Sequence, residues 1–460
     1  MKRNMDELIA ESNKAVDFHR VLEQIAQYAS FSCSKQTILQ ARPDLTLFEI
    51  RPLLEGTKEA MAFLHSGYDL NMEGCSDISE NSLKAQKKMT LLPVELVEIA
   101  RFLMACKNVI NDLKEKQVPS LWEVAVQIDD LSRVRTTIEN QIDDQGHIRD
   151  HATERLASLI RQESEARFSL QDKCRQFIRS HADSLMETVA TSMNGRVCVL
   201  VKAQDKNRFG SMIHGQSSSG MAFYVEPNVL IPYNNRLQSI QVEIEEEKHK
   251  ICRKLSLMVG KHTDILLSNL ENITWIDVAF TKARWAIAHD GCIPVFHQID
   301  HSFRFEHAVH PLLDPETAVA NSYSCRSDQY CLMISGPNMG GKTVTLKTIG
   351  LFMLLAHCGF PVAAHEAFVP YYDSLWFNIG DNQSIENNLS TFSGHISVIS
   401  EICQKADEHS FILLDELGNG TDPLEGCSLA IAILEYLIEK KCTVITTTHY
   451  NQVKTFGKTH

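Results

Sequence analysis

One eight-residue segment, GPNMGGKT from Gly336 to Thr343, constrains this chain more than any other feature. It fits G-x-x-x-x-G-K-[ST], and its surroundings are the ones that pattern needs. An apolar, strand-like run, CLMIS, precedes it, and a helix-compatible run, VTLKTIGLFMLLA, follows. Glycines let backbone N–H groups approach phosphate oxygens, and the helix that follows turns its positive end toward them. The segment therefore predicts a nucleoside triphosphate site built from Gly336, Pro337, Asn338, Met339, Gly340 and Gly341. Lys342 would reach the β- and γ-phosphates, and the Thr343 hydroxyl would ligate Mg²⁺.

Three further motifs fit that chemistry. FILLDE, Phe411 to Glu416, reads as a buried strand that delivers acids to its C-terminal end, where ligands of open α/β sheets bind. Asp415 is the expected Mg²⁺ holder and Glu416 the general base that polarises the attacking water. TTTHY, Thr446 to Tyr450, follows a second β-rich run and would bring His449 near the γ-phosphate as a sensor. LSTFSGH, Leu389 to His395, reads as a helix start, since Ser390 and Thr391 are good capping residues. A capped helix N-terminus is also an anion site.

Length and composition bound the rest. At roughly 100–200 residues per domain, 460 residues mean two to four domains. The 45 basic and 58 acidic residues give a net charge of −13, which excludes a protein that coats nucleic acid with an overall basic surface. A local basic surface remains possible. From Cys331 to His460 there are 7 basic and 13 acidic residues, so much of the acidity sits around the phosphate-binding segment. The 13 cysteines include no Cys-x-x-Cys pair, which argues against a zinc site or disulfide framework and fits a reducing cytoplasm. The start has no apolar run and reads as no secretory signal. The most apolar stretch, Ile349 to Ala364, is shorter than the ~20 residues a membrane span needs and reads as a buried helix followed by a strand.

Residues 1–147 read as an N-terminal helical core. Pro52–His65 and Pro93–Lys116 carry apolar residues at helical spacing; in the second, Leu96, Ile99, Leu103, Cys106 and Ile110 share a face. Residues 148–292 read as long helices flanking a small β insertion at about 188–230, a hairpin-like arm that the family resemblance given below makes the lever and clamp helices. Arg149, Arg155, Arg161, Arg167, Lys173 and Arg179 recur every six residues. That step turns about 240° around a helix, so these charges form no single stripe. Val197–Val201 and Met221–Val225 are strand-like, with turn chemistry between them. Arg196, Lys202, Lys206 and Arg208 make the insertion locally basic and are the candidate nucleic-acid contacts. Helical spacing resumes with Leu237, Ile240, Ile244, Ile251 and Leu255 on one face. From 293 to 460, strands at Tyr330–Ser335, Phe411–Asp415 and Cys442–Thr447 alternate with helices, the mark of a mostly parallel sheet. The expected fold class is thus a multidomain chain: an α-helical lever and core with a small β insertion and helical clamp, followed by an α/β P-loop ATPase domain.

GPNMGGKT, STF, LLDELGNGTDP and TTHY, in that order, resemble the ABC-type ATPase domain of the MutS family. IDDQGHIRDHATERL, IHGQSSSGMAFYVEP and YNNRLQSIQVEIEEEKHKI resemble the second bacterial paralogue of that family, and the likeness extends from about Asn13 over nearly the whole chain. The Phe-x-Glu wedge of the mismatch-repair paralogue is not found. The resemblance implies ATP with Mg²⁺, and a His310–Pro311 element near the nucleotide. It implies a homodimer in which Ser390, Thr391 and Phe392 of one subunit close on the ATP of the other. It also implies clamp helices that convert ATP state into grip on branched or duplex DNA, or on the ribosome and its rRNA. The functions tied to it are suppression of homologous recombination, processing of mismatched or branched DNA, and rescue of collided ribosomes by subunit splitting, all in a bacterial cytoplasm and without a membrane. Relatives continue beyond the position of His460 with dimer-forming helices and a C-terminal Smr domain that carries nuclease activity. The resemblance therefore implies an ATPase domain incomplete at its C-terminal side, a weakened dimer and no nuclease activity in this chain.

The rival class is a nucleotide-binding interaction module without productive turnover. A chromosome-organising coiled-coil ATPase fits less well, because such proteins separate the two ATPase motifs by a very long coiled coil, whereas Thr343 and Asp415 are 72 residues apart. A metabolite kinase fits less well too, since the Asp-Glu pair and His449 suit water activation better than transfer to a hydroxyl.

Overall fold

The computed structural model describes residues 15–218, 220–336, 341–379, 391–419 and 421–457, the side chains of residues 391–394 excepted. Contacts group the chain into two compact units, one of residues 78–104 and 130–267, the other of residues 1–77, 105–129 and 268–460. The units interleave along the chain, whereas the expected segments 1–147, 148–292 and 293–460 are contiguous.

In the unit of residues 78–104 and 130–267, the helices Glu154–Ser180 and Ile231–Gly260 pack together. Leu237, Ile240, Ile244, Ile251 and Leu255 form the buried face expected of them. Each such side chain contributes about 1.5–3 kcal/mol when fully buried. The first helix begins at Thr153, whose hydroxyl accepts from the Leu156 N–H (3.1 Å) and donates to Glu247 on the second helix (3.0 Å). The distributed arginines find acids at their own level: Arg155 lies against Glu243 and Glu247, and Arg167 against Glu163. The β insertion is a four-stranded antiparallel sheet of β1 (Leu185–Met193), β2 (Arg196–Lys202), β3 (Met212–Gln216) and β4 (Ala222–Glu226), in the order β1-β2-β4-β3. The two expected strands are β2 and β4. β1 and β3 leave most of their side chains exposed and lack the alternation that marks a half-buried strand.

The other unit is mixed α/β. It holds β5 (Val295–His297), β6 (Phe303–Ala308), β7 (Asn321–Cys325), β8 (Cys331–Ser335), β9 (Glu366–Pro370), β10 (Ser374–Asn378), β11 (Ser410–Leu414) and β12 (Thr443–Thr448). β10-β11-β12-β8 form a parallel sheet, and β5-β9-β6-β7 a second, mixed one. The parallel sheet is buried on both faces, so β11 is a continuous apolar run. Phe411 and Leu413 join one core cluster, while Ile412 and Leu414 join another with Trp376, Leu434 and Val444.

The first of these clusters includes the first helix among the described residues. Phe18, Val21, Leu22 and Ile25 of the helix Phe18–Ala26 pack with Leu346, Ile349 and Phe352 of the helix Lys342–His357. Gly350 permits the close approach: a Cβ there would stand 2.4 Å from Leu413 and 3.0 Å from Val16.

Two sequence expectations need correction. Pro52 does not open its helix. That helix, Leu47–His65, starts at a capping box in which Thr46 and Glu49 satisfy each other's backbone. The stretch Ile349–Ala364 also does not end in a strand. Its helix stops at His357, Gly359 turns the chain at φ +71°, and Phe360–Ala364 makes only a single bridge, Val362 to Cys292. Among the described residues no helix is long and apolar enough to cross a membrane. All 13 cysteines are free thiols.

Candidate functional site

Parallel pairing decides what meets at one edge of the sheet. Thr448 of β12 pairs with Ser335 of β8, and Thr446 of β12 with Leu414 of β11. The residues that follow these strands, Gly336, Asp415–Glu416 and His449, therefore emerge at the same C-terminal edge.

After β8 the chain reaches Gly336, where an added Cβ would meet no atom within 4 Å. Residues 337–340 lie outside the described residues, so Pro337, Asn338, Met339 and Gly340 are not placed. Gly341 caps the next helix in a left-handed conformation, φ +78°, which favours glycine. Lys342 is the first residue of that helix, is buried, and donates from Nζ to the Gly336 carbonyl at 2.8 Å. Thr343 is half-buried in the helix's first turn.

After β11 the backbone leaves the sheet. The Asp415 N–H still donates to Asn378 O of β10 (2.9 Å), but Glu416 takes a positive φ of +47°. Its N–H donates to the Thr447 hydroxyl at 2.8 Å, and the same hydroxyl donates to the Asp415 carboxylate. Asn419 donates from Nδ2 to the Glu416 carboxylate at 2.9 Å. Both acids are half-buried. The turn closes where Gly418 and Gly426 meet: a Cβ on Gly418 would stand 2.3 Å from Gly426 O, and one on Gly426 2.2 Å from Gly418 O. The helix Pro423–Glu439 starts beside this contact, capped by Asp422, which accepts from the N–H groups of Leu424 and Glu425. His449 is exposed just past β12, its ring centroid 4.3 Å from that of Tyr450, whose hydroxyl donates to Gly418 O at 3.3 Å.

The remaining expected residues are placed elsewhere. Ser390 lies outside the described residues; Thr391 and Phe392 begin the helix Thr391–Lys405. His395 of that helix reaches Asn378 (3.0 Å), the residue whose carbonyl holds Asp415. His310 is 6% exposed, and its Nδ1 accepts from the Leu312 N–H at 3.4 Å, while Nε2 is buried without a partner among the described residues. Burial, against the attraction of Asp17, holds its imidazolium pKa down to about 4, and Lys347 and Arg20 lower it further. Asp17, just before the helix Phe18–Ala26, accepts from Lys347 (3.1 Å), so His310 stands among charged side chains.

The four candidate nucleic-acid contacts are unalike. Arg196 is an internal counter-ion: it donates twice at 2.7 Å to the fully buried Glu226, and also to Asn235 and Gln238. Burial raises the Glu226 carboxyl's pKa, but bonds from Arg196, His214 and Asn234 outweigh it and the net shift is downward. Lys202 donates to Asp183 O (2.7 Å), Lys206 lies over the Phe223 ring (5.0 Å), and Arg208, well exposed, donates to Ser184 (2.9 Å).

Sequence reasoning missed Thr447, Asn419 and Asn378. Thr447 stood inside the quoted TTTHY, but only the parallel register of β11 and β12 reveals which of its three threonines touches the acids.

Residues 332–460 match the family model described as MutS domain V. Endonuclease MutS2 of Geobacillus sp. (strain WCH70) is 35% identical over 450 residues, which cover 96% of this chain and 57% of that protein. Putative endonuclease MutS2 of Bacillus subtilis (strain 168) is 35% identical over 452 residues, with the same coverage. Endonuclease MutS2 of Clostridium botulinum (strain Okra / Type B1) is 35% identical over 453 residues, 97% of this chain and 57% of its own length. The chain thus spans a little under three-fifths of these relatives, carries the MutS domain V match at residues 332–460, and is similar along almost all of its own length to proteins named Endonuclease MutS2.

Proposed function

We propose that this chain is a MutS-family ATPase of the MutS2 branch, with its α/β unit built as a P-loop domain of ABC type. The observation that carries the reading is the convergence at one sheet edge of Lys342, Asp415–Glu416 and His449. Backbone N–H groups of the glycine-rich segment, Pro337 excepted, donate to phosphate oxygens, and Lys342 exchanges the Gly336 carbonyl for the β- and γ-phosphates. Thr343 and Asp415 offer only oxygen donors, a hydroxyl and a carboxylate, which suits a hard cation such as Mg²⁺. Bound there, Mg²⁺ supplies positive charge against the transferring phosphoryl group.

Glu416 takes a proton from the attacking water, its carboxylate held by Asn419. The water oxygen bonds to the γ-phosphorus as the bond to the β–γ bridging oxygen breaks, giving ADP and phosphate. His449, at the solvent-facing strand end, donates to the γ-phosphate and reports its presence. The trans loop Ser390–Phe392 of a second copy completes the site in a dimer.

The partner is nucleic acid, branched or duplex DNA or ribosomal RNA, met through Lys202, Lys206 and Arg208 in a cytoplasmic setting. The functional test is Mg²⁺-dependent ATP hydrolysis by the purified chain. Turnover that is lost in Lys342→Ala supports the reading; binding of ATP without turnover by the wild type favours an interaction module. Ribosome co-sedimentation beside a branched-DNA shift assay, each with and without ATP, separates the two partner classes.

A further inference from the structure

The Glu416 backbone N–H lies past the last β11–β12 pair, so no ladder carbonyl receives it. A buried N–H must find a partner, and this one finds the side chain of Thr447, which is 0% exposed. One hydroxyl then serves two neighbours. Its oxygen accepts from Glu416, and its single hydrogen is committed to the Asp415 carboxylate. That donation holds the carboxylate against the strand. It also fixes the angle between the Asp415 side chain and the backbone that aims Glu416, at a point where the positive φ of Glu416 has already left the ordinary strand conformation. Thr447 lies near the end of β12, two residues before His449, which follows that strand.

From this geometry we infer that Thr447 is a positioning residue of the hydrolytic site, through which the strand that leads to His449 sets the orientation of both acids. The inference rests on the ATPase reading above. It assigns the coupling between the γ-phosphate sensor and the acids to a hydroxyl bonded to the backbone of one acid and the side chain of the other. A purely structural strand cap would need only the bond to the Glu416 N–H. The second bond, to the side chain that would hold Mg²⁺, is the part that predicts a kinetic effect.

Thr447→Val keeps the shape and the β-branch and removes the hydroxyl; Thr447→Ser keeps the hydroxyl. Thr447→Val is expected to lower kcat about 30-fold or more with KM for ATP within about threefold, and to raise the half-saturating Mg²⁺ concentration at least about fivefold. These ranges reflect the loss of a charge-assisted bond and an unpaired buried donor. Thr447→Ser is expected to return both to within about threefold of the wild type. A Thr447→Val enzyme with kcat and Mg²⁺ dependence within twofold of wild type overturns the inference, as does a Thr447→Ser enzyme as impaired as the valine variant. Should the valine variant fail to fold, as judged by its melting transition, Thr447→Ala beside Thr447→Ser carries the same comparison. Should the wild type itself show no turnover, the ATPase reading falls. The Mg²⁺ dependence of fluorescent ATP-analogue binding then decides for Thr447: a fivefold shift supports its role and no shift overturns it.

Discussion

Glu226 and Glu416 are the same residue type at or just past the ends of strands in two different sheets, and their surroundings differ in burial and in the number of donors. Glu226 ends β4, is fully buried, and has each oxygen shared between two donors: Arg196 and His214 on one, Arg196 and Asn234 on the other. A carboxylate saturated in this way by cations and amides can offer nothing to a ligand; it fastens a small sheet to the helix that follows. Glu416 sits just past β11, half-exposed, steered by a neutral amide and by a backbone bond to a threonine. Burial and saturation mark the structural acid, whereas partial exposure and light, directional restraint mark the one suited to proton transfer. The same contrast separates Arg196, bound inward, from Arg208, which faces solvent.

The contrast breaks most visibly if Glu226 is not structural. Glu226→Ala strands Arg196 in a buried site, and chemical denaturation should show a loss of about 3–5 kcal/mol; a loss below 1 kcal/mol would mean that the cluster relaxes into solvent. Next comes Lys342→Ala, which should weaken ATP binding about ten- to hundredfold through loss of a charged phosphate contact while the melting temperature stays near that of the wild type. Reversing the charge of Lys202, Lys206 and Arg208 together should weaken binding to DNA or ribosomal RNA and lower the salt slope by about 2–3. Arg196→Gln should instead act on stability, since its guanidinium faces Glu226. If the triple reversal leaves binding to both nucleic acids unchanged, that face is not the contact.

The smallest effect concerns pH. His310 and His357 are buried and neutral, each with its pKa lowered to about 4, chiefly by burial. Unfolding lets them titrate near 6.5, so between about pH 6.5 and 4 the unfolded state binds more protons and stability falls as the solution is acidified. Glu226 adds in the same direction as pH drops through its lowered pKa. His357→Gln should flatten the melting-temperature profile across that window.

The segment Gly336–Thr343, both acids and His449 could be picked out as candidates because each is a local pattern: glycines before a helix, or polar residues capping an apolar run. Their meeting at one edge needed the register of β8, β11 and β12, which no single segment encodes, and for that reason Thr447 and Asn378 went unseen. The mixed sheet was missed because strands such as NSYSC (β7) are short and polar. Arg196 looked like a surface cation because its partner, Glu226, is 30 residues away along the chain. The helix Phe18–Ala26 gave no sign of its place against the helix Lys342–His357, since a buried helical face does not say what buries it.

The central claim is that Glu416 does chemistry and Glu226 does structure. Its most direct test is steady-state ATP turnover per folded molecule for Glu416→Gln and Glu226→Gln, measured side by side below the melting transition of both. The account predicts that Glu416→Gln loses at least about a hundredfold in kcat, with the melting temperature unchanged. Glu226→Gln should melt earlier and keep kcat within about threefold. Equal turnover in the two variants, or a Glu416→Gln protein as active as the wild type, would contradict it.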